Sequence, residues 1–184
     1  MNIDASVDTP KKQISFIGKH AIDTIDKITT KKNAKRNEMK DIDDEVIEYS
    51  KQVGMINALY MNVLITSNDV ERLLKCELEK KINGYKNQDI RKNIYNELLL
   101  ISLNETVEKL VSSKLKCFYC NKNLLILYKN VRDSEQWTLD RIDNDNCHSN
   151  ENTVISCLKC NLQRRTQCMD KFLFTKKLNI TKIE

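Results

Sequence analysis

Glycine and proline are almost missing from this chain, with three of the first and one of the second in 184 residues. Sandwich and barrel folds lean on both for tight turns, so their scarcity argues against a loop-rich all-β architecture. Long apolar runs are missing as well. None approaches the roughly 20 residues that span a bilayer, and the opening MNIDASVDTPKK has no apolar core of the secretory kind. The expectation is a protein with no membrane partner, in an intracellular reducing compartment, cytoplasm or nucleus, with a virus-encoded origin left open. In such a compartment seven cysteines, an odd number, suit metal ligation or free thiols better than a disulfide framework.

What the chain does have is lysine, asparagine, isoleucine and leucine in abundance, a composition suited to helices. Its formal charge of +5 is unevenly placed. Residues 1–113 hold 18 basic and 18 acidic side chains, residues 114–184 hold 13 and 8, and within these residues 159–184 hold 7 and 2. A local basic end suits a polyanion such as nucleic acid, although scattered solvated lysines produce the same count.

The pattern divides the chain into a polar tail over 1–13, a helical region over 14–113, a module of different texture over 114–175 and a basic tail over 176–184. Ile14, Ile17, Ala21, Ile25 and Ile28 recur at helical spacing, as do Val46, Val53, Ile56, Tyr60, Val63 and Leu64. Asn68 with Glu71 and Ser102 with Glu105 each read as a capping box, the first opening a helix expected to end near Gly84. The helical region has balanced charge and no catalytic constellation, which leaves it as a candidate surface for a protein partner. From Lys114 onward, Leu124–Tyr128 and the stretch around Trp137 to Ile142 read as two short strands, with a third extended piece through Thr153–Ile155. Helical spacing then resumes through Leu162, Met169, Phe172 and Leu173.

Cys117 and Cys120 form one CxxC, Cys157 and Cys160 a second, with 36 residues between the pairs. Two intervening residues let both sulfurs of a pair reach one ion, and two pairs complete a tetrahedral thiolate shell, so structural zinc is expected. A closed shell leaves no open position for chemistry. Its use is to staple a module too small to bury much apolar surface. Cys76, Cys147 and Cys168 fall outside the quartet.

From Trp137 through the second pair to Arg165 runs WTLDRIDNDNCHSNENTVISCLKCNLQRR. From 117 to about 174 the chain resembles the HNH endonucleases, the ββα-metal or His-Me finger nucleases, in their zinc-stapled branch with CxxC, then Asp-His or Asp-Arg ending a strand, then Asn, then CxxCN. The resemblance implies a small zinc-stapled ββα-metal module that hydrolyses DNA phosphodiester bonds, and with the helical region read before it the expectation is an α+β protein. It assigns Asp140 and Asn161 to a catalytic magnesium or manganese ion, and Asn152 to bracing the loop. The sequence departs from the pattern at Arg141, which stands where most relatives carry the general-base histidine and which cannot accept a proton. His148, the sole histidine of the module, is the substitute base or else a loop residue packed near the knuckles. Asp143 and Asp145 add carboxylates to the ion or, as usual in such turns, bond their own backbone. Arg141, Arg164, Arg165, Lys171, Lys176 and Lys177 are the residues expected to meet phosphate. Losing the base would instead leave a catalytically silent nucleic-acid-binding or assembly protein.

Overall fold

The structure, a computed structural model, describes residues 18–20, 34–63 and 67–178, with Asn68 and Lys177 in backbone only. The helix expected over Ile14–Ile28 and most of both tails lie outside the described residues. Residues 1–34 and 35–184 cluster as two separate units, and the second carries everything below. After a single 3-10 turn at Asn37–Met39 come α1 (Asp44–Ile47), α2 (Tyr49–Tyr60), α3 (Asn68–Arg91) and α4 (Leu103–Ser112). Then follow β1 (Trp137–Arg141), β2 (Thr153–Cys157), α5 (Leu158–Arg164) and α6 (Met169–Lys177). None of the described helices is long and apolar enough to cross a membrane.

The strands are rich in β-branched and aromatic residues (WTLDR and TVISC) and pair antiparallel, Trp137 opposite Cys157 and Arg141 opposite Thr153. This two-stranded sheet, followed at once by α5, gives a mixed α+β fold. A pair of strands cannot bury itself. One core does it for them, running from Met39, Ile56, Leu74 and Leu110 through Leu127 to Trp137, Ile155 and Cys117, Cys157 and Cys160.

Two expectations need correcting. Leu124–Tyr128 is no strand, because the fully buried amide of Gln52 on α2 takes over its backbone. Gln52 Oε1 accepts from Ile126 N at 2.7 Å and Leu127 N at 2.9 Å, and its Nε2 donates to Leu127 O at 3.0 Å. A side chain has filled the bonds a neighbouring strand would have made. The helix opening at Asn68 runs through Gly84 to Arg91, its N-cap being Ser67 with no side-chain cap bond. Gly84 costs the helix about 1 kcal/mol, which the packing of the next residue, Tyr85, and of Asp89 just over a turn on offsets. At α4, by contrast, the full Ser102–Glu105 capping box is present.

Candidate functional site

The two CxxC turns meet. One sulfur from each of Cys117, Cys120, Cys157 and Cys160 lies within 4.8 Å of all the others. Zinc–sulfur bonds of about 2.3 Å in a tetrahedron place sulfurs about 3.8 Å apart, and Cys120 Sγ to Cys157 Sγ is 3.9 Å, so the four can hold a metal ion such as zinc. The first turn closes on Asn121, whose φ of 55° lets its N–H return to Cys117 O at 2.9 Å. In the second, the start of α5 aims Cys160 N at Cys157 Sγ, while Cys157 N reaches Cys117 Sγ, both at 3.3 Å. A hydrogen bond with Cys157 first of all draws the Cys117 thiol down to about 4, and burial pushes that of Cys160 up to about 12. At this spacing full ionisation of all four is costly unless a divalent cation sits among them.

A cleft of about 610 Å³ lies along the edge of β1 that β2 does not cover. That edge is capped by side chains. Leu139 N donates to Tyr85 Oη at 2.9 Å, Leu139 O accepts from Asn161 Nδ2 at 3.4 Å, and Trp137 O accepts from Lys81 Nζ. One wall is therefore α3, with Lys80, Lys81, Tyr85 and Gln88 and with Lys92 just beyond its end. The other is α5, with Leu158, Asn161 and Leu162 and with Arg165 past its end. Asp140, Arg141 and His148 complete the lining. Cations dominate it. Burial pushes Lys81, whose ammonium lies 4.8 Å over the Trp137 ring, down to about 7.

The structure thus brings Asp140, Arg141, His148, Asn161 and Arg165 to one cleft. Asp140 is not free there. Arg164 Nε donates to its Oδ2 at 2.7 Å and Nη2 to its Oδ1 at 3.0 Å, and the Tyr119 hydroxyl donates to Oδ2 at 2.7 Å. Burial raises the Tyr119 pKa, which keeps that hydroxyl a donor. Asn161 faces Thr138 Oγ1 at 3.1 Å and does not bond Asp140. With its one carboxylate already matched by a guanidinium, this donor set does not fit magnesium or manganese as it stands.

Arg164, expected on a phosphate-binding face, is instead fully buried, because Asp140, Gln167 O and the Arg141 carbonyl take its donors. Arg141 is buried too, its guanidinium turned to Asn146 O at 3.2 Å and Asp89 at 3.6 Å. Lys171 is exposed and Lys176 bonds Gln163 at 2.6 Å, both on α6 and neither lining the cleft. The Lys177 side chain lies outside the described ones.

The loop between the strands is closed by Asn152. Its amide accepts from Asp143 N and donates to Asp143 O and Cys147 O, each at 2.9 Å. Asp143 bonds Asp145 N at 3.0 Å and Asn146 Nδ2 at 2.6 Å, so its carboxylate serves the turn. His148, at the far end of this loop, is buried, stacked on Tyr85 with ring centroids 4.7 Å apart, and its Nδ1 is 2.7 Å from Asp89 Oδ1. Burial holds its pKa below the usual histidine value, against the pull of Asp89.

Asp89, Tyr85, Lys80, Lys81 and Lys92 escaped the sequence because their region has balanced charge and lies outside the cysteine module. The one available signal was spacing: Lys81, Tyr85, Gln88 and Lys92 fall on one helical face. No family model, curated protein or solved structure matches the chain.

Proposed function

We propose that this chain is an HNH-type endonuclease that hydrolyses DNA phosphodiester bonds in the cleft between α3 and α5. The observation that carries the reading is that His148, Asp140 and Asn161 border one cleft whose other charged groups are Lys80, Lys81, Lys92, Arg141 and Arg165. Lys92 and Arg165 lead in attracting a phosphate and neutralising charge that develops on it, since Arg141 is turned to Asp89 and Lys80 to Glu38. His148 takes the proton from a water as its oxygen bonds phosphorus, the ester P–O bond breaks, and the leaving oxygen takes a proton from solvent. Asn161 and Tyr85 hold the β1 edge in place, and no step is assigned to a divalent cation.

Supercoiled plasmid tests this reading, incubated with and without added magnesium or manganese. The wild-type chain is expected to nick it, and His148→Gln to nick it far more slowly. Wild type no faster than this variant would remove the enzyme claim. A second reading, a silent zinc-stabilised nucleic-acid-binding module, is favoured by the Arg164 grip on Asp140. It expects salt-dependent DNA binding with no nicking at all.

A further inference from the structure

Asp89 receives more hydrogen bonds than holding a loop requires. It sits in the last turn of α3, with no exposed surface, and two hydrogen bonds and one ion pair converge on its carboxylate. They are His148 N at 2.7 Å on Oδ2, His148 Nδ1 at 2.7 Å on Oδ1, and the Arg141 guanidinium at 3.6 Å from Oδ1. The loop is already tied down nearby without it. Ile101 N donates to His148 O at 2.9 Å, Leu100 bridges Ser149, and Asn152 closes the loop on the other side. The bond to Nδ1 therefore adds something backbone ties cannot, a fixed ring. A carboxylate surrounded by donors accepts, so Nδ1 carries the proton and Nε2 keeps its lone pair. The Tyr85 stack sets the ring plane, and Asp89 sets its rotation and tautomer.

From this geometry we infer that Asp89 is the positioning residue for His148, so that the helical region, and not the cysteine module alone, supplies half of the acid–base pair. The inference deepens the proposed nuclease and rests on that reading for its catalytic consequence. It also explains how a chain with arginine directly after Asp140 keeps a usable base: Arg141 stands beside the same carboxylate oxygen, as a brace.

The test has two arms, so that the inference and the nuclease reading can fail separately. Long-range ¹H–¹⁵N spectra of the full zinc-loaded chain report the His148 tautomer directly. The wild type is expected to show Nδ1–H with Nε2 unprotonated above the His148 pKa. In Asp89→Asn, which preserves shape, the amide can donate, and the Nε2–H form is expected to appear. The second arm is plasmid nicking, where Asp89→Asn should lower kcat by at least ~10²-fold with DNA affinity and zinc content unchanged. It should also shift the acid limb of the pH profile, to which the neighbouring Tyr85, Lys92 and Arg141 contribute equally in both proteins. An Nε2–H ring in the wild type, or an unchanged tautomer and rate in Asp89→Asn, would overturn the inference. A wild type with the Nδ1–H ring but no nicking would leave the ring assignment standing and end the nuclease reading.

Discussion

Asp140 and Asp89 are both buried carboxylates, the first lining the cleft and the second behind its His148, and their partners give them different duties. Asp140 is matched by Arg164 and Tyr119 and holds the end of β1 against α5. Asp89 is matched by His148 and Arg141 and holds a titratable ring. For the ring, burial outweighs the pull of Asp89, so the neutral form is favoured in the folded chain. The unfolded chain then takes up the proton first as pH falls. Stability contributed by neutral His148 is complete above about pH 6.5 and is lost as pH drops through that value toward the lower folded one. Denaturant titrations at pH 7.5 and 5.5 are expected to show wild type losing more stability than His148→Gln. The zinc thiolates titrate in both proteins and cancel, so an equal loss would mean the ring is not held neutral.

At the scale of elements, Gln52 gives the sharpest prediction. Gln52→Leu keeps the volume and leaves three buried backbone groups of the Ile126–Leu127 segment without partners, at roughly 1–3 kcal/mol each. A loss of at least about 3 kcal/mol by chemical denaturation is expected, and a loss below 1 kcal/mol would show that water or a shifted backbone replaces the amide. The same residue shows where the sequence stopped being legible. Leu124–Tyr128 looks like a strand because apolar runs do, and nothing local announces that a glutamine some 75 residues earlier will occupy its hydrogen bonds. Some signals contained within one turn were readable, the Ser102–Glu105 box and the two CxxC knuckles by their own spacing, whereas the Asn68–Glu71 box was not, since Ser67 stands at that N-cap. The end of α3 was not, since Gly84 is a stop signal that the burial of Tyr85 and Asp89 overrides.

For the whole molecule, the four-cysteine cluster and the helices share one core, with Cys117, Cys157 and Cys160 buried alongside Trp137 and Leu110. Zinc bound there stabilises more than the knuckles. One zinc per chain is expected, and its removal by a strong chelator should collapse the β1–β2 pair and loosen the α4 packing, seen as loss of near-ultraviolet signal from Trp137. A chain that keeps this signal without metal would show the core to be self-sufficient. The cleft belongs to this scale too. Its lining was half legible, because Asp140, Arg141, His148 and Asn161, which stand in a recognisable order, do line it. Its other wall comes from a helix more than fifty residues earlier, which only folding brings alongside.

The central claim is that this cleft cleaves DNA with His148 as the base. Single-turnover cleavage of a labelled duplex, with protein in excess so that binding is saturated, separates the chemical step from affinity. The account predicts that His148→Gln binds the duplex as tightly as wild type and cleaves it at least ~10²-fold more slowly. Equal cleavage rates, or no cleavage by either protein, would contradict it.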